Sequence, residues 1–469
     1  MKRYIIFSAL GLGLLMYSVD TTIVAVAFPH IIRDLKTNLL WAGWTMSIYM
    51  IAITSSMPLI GNISDIFGRK RIYLFSVLLF TLSSFACGLA PDVYTLILFR
   101  FIQGVGGACF LPNAAGIVSD LFPKERVRAI GFFTSIFPIG GIIGPNLGGY
   151  IVEHLSWRYV FFINIPIGII VGTIIGFLLK EKKNENDPEI DYKGAILFLI
   201  TIFLFMLGLN LIADNPYGTT LCVSILCFFL SFLSFYLFTY HERSFSNPLI
   251  EMSLLKSTPF LAANIYNMVV GMCIFAVFSF IPFFATSVHK LSILKSGAIL
   301  TPRAVGTIPA SFITSLFLDR WGYRKPMIIG LMLIALSTVF LSDYDLRIVR
   351  FFGVKANVVY VLTMIIFVMG IGMGISLPAS NNACIELMPE KVATITGLRG
   401  TFRTTGGFLG ISLISLVLHF SSSYDSGFRV VFISSGILLI SSLTLVFLMP
   451  EGKRGVQPLK EEASVVFES

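Results

Sequence analysis

The sequence predicts an all-α membrane protein of two six-helix bundles, with two extra transmembrane helices between them and fourteen spans in all. Three observations predict this. The 469 residues are 56% hydrophobic and only 13% charged, whereas a soluble domain carries about 25% charged residues. The apolar residues fall in runs of about 20, the length a helix needs to cross the hydrocarbon of a bilayer. The second half of the chain also repeats the spaced glycines, prolines and acids of the first.

In chain order, Lys2 and Arg3 precede an apolar stretch that is too long for a signal peptide. It carries Asp20 and lacks a small-residue cleavage site, so 5–28 reads as a retained first span. Runs at 40–60, 72–90, 94–118, 129–152 and 159–179 complete an N-terminal six-helix bundle over 1–180. The polar stretch 181–193 reads as a cytoplasmic linker, and 194–240 as two inserted spans, 194–213 and 219–240. A C-terminal six-helix bundle over 241–450 takes runs at 260–285, 294–317, 327–342, 357–380, 394–419 and 428–449. A cytoplasmic tail, 451–469, follows.

The net charge of +9 does not indicate a nucleic-acid partner, because the basic residues sit in short clusters between apolar runs. With the N-terminus inside, the inner loops and tails take most of the 34 Lys and Arg, including Arg69–Arg71, Lys124–Arg128, Lys180–Lys193 and Arg320–Lys325. The positive-inside rule then puts both termini in the cytoplasm of a multi-pass protein of the cell (plasma or inner) membrane, with the lipid bilayer as its main solvent. Cys87, Cys109, Cys222, Cys227, Cys273 and Cys384 all lie in apolar runs without metal-ligand spacing and read as small apolar fillers. The five histidines fall near span ends.

The internal repeat is specific. Gly104, Gly106, Pro112, Asp120, Pro123, Gly131, Gly140, Gly141 and Gly144 recur 266 positions later as Gly370, Gly372, Pro378, Glu386, Pro389, Gly397, Gly406, Gly407 and Gly410. The loop Asp65-Ile-Phe-Gly68-Arg69-Lys70 is echoed by Asp319-Arg-Trp-Gly322-Tyr-Arg324 at a shorter offset, because the second half has a longer outer loop near 343–356. Parallel halves of six spans are an architecture of secondary transporters, with the substrate path between the halves near mid-membrane.

Several segments resemble signatures of the major facilitator superfamily, and in particular its fourteen-span drug:proton antiporter branch. Gly61-Asn-Ile-Ser-Asp65-Ile-Phe-Gly68-Arg69-Lys70-Arg71 resembles the loop signature between spans two and three. Arg100-Phe-Ile-Gln103-Gly104 resembles the fourth-span signature, and Gly140-Gly-Ile-Ile-Gly144-Pro145-Asn-Leu-Gly148-Gly149 the antiporter signature of span five. Ser18–Pro29 and Trp157–Pro166 are similar to marks of the fourteen-span branch. Two positions depart: Ala25 stands where many relatives have Asn, and Ile411 where the repeat of Pro145 falls. The resemblance implies a multidrug efflux antiporter, with protonation roles for Asp20 and Arg100.

The residues support this independently. At 1.5 Å rise per residue, Asp20 and Arg100 both lie about 9–10 Å below the outer ends of their spans. A pair at matched depth lowers the cost of two intramembrane charges, and protonating Asp20 releases Arg100. A static pair that merely orients helices is the alternative. In the inner loop, Gly68 supplies a turn and Asp65 is placed to accept from an arginine or a helix N-terminus. That makes a gate latch with Arg69, Lys70 and Arg71, or else a basic loop that only fixes topology. Gly140, Gly144, Gly148 and Gly149 form a small-residue helix face that Pro145 bends. It reads as a flexible seal between the halves or as ordinary close helix contact.

Arg303, Arg399 and Arg403, together with Gln103, are candidates for a substrate cavity favouring anionic, zwitterionic or neutral amphiphiles. The alternative has the arginines bound to helix-end carbonyls or Glu386. The chain has no phosphate-binding loop, zinc spacing or nucleophile elbow. The expectation is therefore a non-enzymatic monomer without cofactor, driven by protons and exporting amphipathic small molecules by alternating access. Transport of a metabolite, vitamin or lipid-like substrate on the same scaffold is one rival, and a non-transporting membrane sensor is another.

Overall fold

The computed structural model describes residues 2–37, 39–181, 191–214, 217–245, 256–291, 293–342 and 357–451. Most of the expected linker 181–193, the outer loop 343–356 and the tail beyond Glu451 lie outside the described residues. Among the described residues all regular structure is helical, as a membrane requires: a helix satisfies every backbone N–H and C=O within one segment.

The first part of the chain forms α1 (Lys2–Asp34), α2 (Leu39–Phe67), α3 (Arg69–Gly88), α4 (Val93–Gly107), α5 (Pro112–Leu121), α6 (Arg126–Thr134) and α7 (Phe137–His154). It continues through α8 (Tyr159–Phe162), α9 (Asn164–Leu178), α10 (Tyr192–Asp214) and α11 (Gly218–Glu242). The second part forms α12 (Thr258–Ser287), α13 (Ile293–Ala298), α14 (Thr301–Trp321), α15 (Arg324–Phe340), α16 (Val358–Glu386), α17 (Val392–Phe420), α18 (Tyr424–Ser441) and α19 (Leu443–Phe447).

Twelve helical stretches among the described residues are long and apolar enough to cross a membrane. The expected spans 294–317 and 327–342 do form helices, α14 and α15, but neither reaches that measure. Pro302, Arg303, Thr307, Pro309 and Ser311 dilute α14, and α15 has 17 residues. Several spans expected as continuous are broken. Turns separate α4 from α5 and α13 from α14, each with a proline in the first turn of the later helix. Proline has no N–H to donate back, so the ladder restarts there.

The described chain divides into two compact units. One comprises Met1–Met252 with Lys391–Thr401, the other Ser253–Glu390 with Phe402–Ser469. Lys391–Thr401, expected in the C-terminal bundle, groups with the first unit because glycines allow backbone contact. A Cβ on Gly61 would lie 2.7 Å from the Ala393 carbonyl oxygen, and one on Gly397 2.7 Å from that of Met57.

Within the first unit α4 packs on α2 and α3, and α1 packs on α7 and α9. Within the second, α16 packs on α14 and α15 in the same order. The repeated glycines set these approaches. A Cβ on Gly104 would meet the Tyr49 carbonyl of α2 at 2.6 Å, and one on Gly370 would strike the Arg303 carbonyl of α14. Gly106 approaches Phe80 of α3 as Gly372 approaches Gly330 of α15. Small residues that let helix backbones touch are how helices associate in lipid, where no hydrophobic force drives them together.

Candidate functional site

The first unit holds a closed polar cluster in its apolar interior. Asp20 of α1 and Arg100 and Gln103 of α4 are completely buried. Arg100 Nη1 donates to Asp20 Oδ2 at 2.8 Å and to Gln103 Oε1 at 2.7 Å. Gln103 Nε2 and Asn164 Nδ2 donate to Asp20 Oδ1 at 3.0 and 2.9 Å. Arg100 Nε reaches the Thr45 carbonyl at 3.2 Å, and its guanidinium lies 3.7 Å from the Tyr49 ring centroid. Asn164 also donates to Ser84 Oγ, whose hydroxyl donates to the Phe161 carbonyl.

Asp20 thus accepts from three side chains on two other helices, α4 and α9. Two opposite charges satisfied this way are tolerable in a dry interior, whereas removing one partner of a buried pair costs about 3–5 kcal/mol. Chemically the cluster has two states. With Asp20 ionised, α1, α4 and α9 are tied at one point. With Asp20 protonated, one acceptor becomes a donor and the Arg100 charge loses its counterion.

The loop between α2 and α3 is a second constellation. Gly68 adopts φ 103°, ψ 128°, and a Cβ there would collide with the Glu181 carboxylate, so both backbone and space require glycine. The turn brings Arg69 back over Asp65, with Nη2–Oδ1 at 2.7 Å. Arg69 Nη1 also donates to Asp120 Oδ2 and to the Gly116 carbonyl, each at 2.7 Å. The other Asp65 oxygen accepts from Thr394 N at 3.2 Å and Thr394 Oγ1 at 3.0 Å. Asp65 therefore takes an arginine on one side and the N-terminus of α17 on the other, where a helix dipole favours an anion. Lys70 is partly buried, and exposed Arg71 lies 3.8 Å from Glu181.

On α7, Gly140, Gly144 and Gly148 seat against Ser18, Thr22 and Ile23 of α1. Ser18 Oγ donates to the Phe137 carbonyl at 2.5 Å. These glycines face α1 within one unit, the close helix contact that the sequence allows beside the seal reading. Their spacing of four puts them on one face, and a Cβ on any of the three would push α1 away. Gly149 lies off that face with nothing within 4 Å, and Pro145 is exposed.

The residues of the expected cavity set are divided between the two units. Gln103 belongs to the Asp20 cluster, where both ends of its amide are engaged. Arg399 is buried in the first unit, while Arg403 belongs to the second. Arg303 begins α14 after the turn at Ile299–Leu300, so its depth cannot be read along one continuous helix. Arg303 and Arg403 do meet the same helix, lying over Phe278 and Phe275 of α12 at 4.5 and 5.7 Å from the ring centroids.

Asn164, Ser84, Thr45 and Tyr49 were not foreseen around Asp20. Asn164 carried a signal, being an amide inside the apolar run 159–179. Ser84 and the Thr45 carbonyl carried none, since serine and backbone recur throughout such runs.

Repeated helical units with an acid and a base closed off in one of them define a secondary transporter of the membrane rather than an enzyme. A family profile of the Major Facilitator Superfamily matches residues 10–300 and 263–468. The chain belongs to that superfamily. It is 33% identical over 418 residues to Multidrug resistance protein 3 of Bacillus subtilis (strain 168), covering 88% of this chain and 79% of that one. It is 28% identical over 432 residues to the riboflavin transporter RibZ of Clostridioides difficile (strain 630), covering 91% of each. The crystal structure of the human organic anion transporter MFSD10 (TETRAN) superposes with a TM-score of 0.64 over 95% of this chain and 99% of that one, at 12% identity. That last likeness concerns fold alone.

Proposed function

We propose that the chain is a proton-coupled antiporter of the fourteen-span branch, exporting amphipathic small molecules across the cell membrane by alternating access. In this reading the two bundles, 1–180 and 241–450, flank the inserted pair within 194–240. The protein works as a monomer without cofactor, and both termini are cytoplasmic. The observation that carries the coupling is the buried Asp20–Arg100 pair. A proton arriving on Asp20 removes the charge that Arg100 balances and weakens the tie among α1, α4 and α9. The cluster then has two arrangements that proton concentration biases, which is what a coupled cycle needs. Asp65 serves as the inner latch, holding the start of α17 through Thr394 while Arg69 holds Asp65. The Bacillus relative, named for multidrug resistance, supports export of amphipathic compounds. The Clostridioides relative, named for riboflavin, supports a dedicated metabolite as the second reading.

The test is reconstitution of the full chain in liposomes with an imposed pH gradient. Dye accumulation should follow the gradient in wild type, and Asp20→Asn should uncouple the two. Dye movement that ignores the gradient in both proteins alike would remove proton coupling.

A further inference from the structure

The second unit keeps a charge where the first keeps none. Gly104 lies against the Tyr49 carbonyl and Gly370, its repeat, against the Arg303 carbonyl, so Arg303 occupies on α14 the place of Tyr49 on α2. In the first unit Tyr49 lies under Arg100, which Asp20 neutralises. In the second, the repeat of Arg100 is Ile366, fully buried. The Val19 carbonyl lies against Gly144 as the Met272 carbonyl lies against Gly410, which puts Cys273 in the place of Asp20. The basic group has moved to α14 and its acid has gone.

The sequence enforces this. Residues 258–317 and 358–385 contain no Asp or Glu, yet they include Arg303. Arg303 is partly buried, and its guanidinium lies over the face of Phe278. An arginine in hydrocarbon without an acid is costly unless a counterion comes to it. Beside Phe278 on α12, Phe275 keeps 39% of its surface exposed and Arg403 lies over its ring. Together they offer a positive head site next to an open aromatic face.

We propose that the second unit binds amphipathic anions, with the carboxylate, sulfonate or phosphate head on Arg303 and the apolar body against Phe275. This rests on the reading of the chain as a carrier of amphipathic compounds and names the charge class it takes.

The test compares two probes with one body and opposite heads, pyrenebutyrate and pyrenebutyl-trimethylammonium. Both are titrated onto the full chain in phosphatidylcholine nanodiscs, with binding to empty discs subtracted. The readout is the ratio of the two dissociation constants, in which any misfolded fraction cancels. Arg303→Gln should shift that ratio about ten-fold toward the cation, equivalent to about 1.4 kcal/mol, and Arg303→Lys should shift it less. Arg403→Gln, a second route should Arg303→Gln fold poorly, should shift it in the same direction by a smaller factor. Discs containing phosphatidylglycerol separate two sources of the anion. Competition in wild type that Arg303→Gln abolishes supports the site, with a lipid headgroup as occupant.

An unchanged ratio in both glutamine variants overturns the anion site while leaving the carrier reading intact. Wild-type discs that bind neither probe overturn the carrier reading and this inference with it.

Discussion

The two units share a backbone plan and differ in where they keep charge. Glycines at repeated positions bring α4 onto α2 and α3, and α16 onto α14 and α15. On that common frame α4 buries Arg100 and Gln103 where α16 buries Ile366 and Met369. In the loops before α3 and α15 a glycine with positive φ, Gly68 or Gly322, turns the chain in both units. The next residue then reaches the same partner position by different chemistry. Arg69 makes an ion pair with Asp120 at 2.7 Å, and Tyr323 donates a hydroxyl to Glu386 at 2.5 Å. Helix caps follow suit: Asp92 accepts from Thr95 N before α4, and Asn357 from Val359 N before α16. Glycine spacing encodes the shape of a unit, and the polar residues set on it give each unit its own charge pattern.

Giving the first unit the chemistry of the second is the most direct way to break this comparison. Arg100→Ile leaves Asp20 buried with only amide donors, and should cost about 3–5 kcal/mol. Thermal denaturation in detergent would show it as a large drop in melting temperature. The triple variant Asp20→Cys, Arg100→Ile, Gln103→Met copies the residues of the second unit and should recover most of that loss while abolishing gradient-driven flux. If Arg100→Ile melts with wild type, the pair contributes nothing that isoleucine does not, and the contrast between the units collapses.

The loops before α3 and α15 give a smaller difference. Arg69→Met removes the donor to Asp65, Asp120 and the Gly116 carbonyl at once, and charged hydrogen bonds contribute about 1.5–3 kcal/mol. Tyr323→Phe removes a single donor from the Glu386 carboxylate and should cost about 1.5 kcal/mol, the low end for one hydrogen bond to a charged group. Melting temperatures should rank wild type above Tyr323→Phe above Arg69→Met. Arg69→Met should also speed cysteine labelling at a reporter in 391–401, because the Asp65 contact with Thr394 loses its support. Equal costs at the two positions would mean that the loops are equivalent despite their chemistry.

How far the sequence carries depends on which property is periodic. Asp20 and Arg100 stand out because an isolated charge in an apolar run is visible and helical rise converts position into depth. The Asp65–Gly68–Arg69 turn is legible for a similar reason, since glycine marks the bend and the flanking charges have few other uses. Gln103 is three residues from Arg100 on the same face and belongs with it, yet an amide alone does not say whether it faces a ligand or an acid. The three arginines show the limit in the other direction. Arg399 and Arg403 share a helix face at i,i+4, but α17 is divided between two units after Thr401, and no local pattern announces where a helix changes neighbours. The breaks before Pro112 and Pro302 were missed because a proline inside an apolar run is tolerated in lipid as a kink or a restart, and composition does not distinguish the two.

The caps give the smallest effect and the sharpest control, because they exchange charge for neutrality at one atom. Asp92 accepts from Thr95 N at 2.9 Å and from Thr95 Oγ1 at 2.8 Å, and these hydrogen bonds hold its carboxyl below the ordinary carboxylate value. A folded-state pKa below the unfolded one means that the unfolded chain binds the proton first. The cap's contribution is then complete above the ordinary carboxylate range and is lost as pH falls through that range toward the folded value. Asp92→Asn keeps an oxygen for Thr95 N, as Asn357 does for Val359 N at 3.0 Å, but has no proton to take up. At pH 7 the variant should melt close to wild type. Between about pH 5 and pH 3, where a free Asp titrates near 3.9, it should lose less stability than wild type. If the two acid profiles superimpose, the Asp92 charge is idle and the second unit's neutral cap is a full substitute for it.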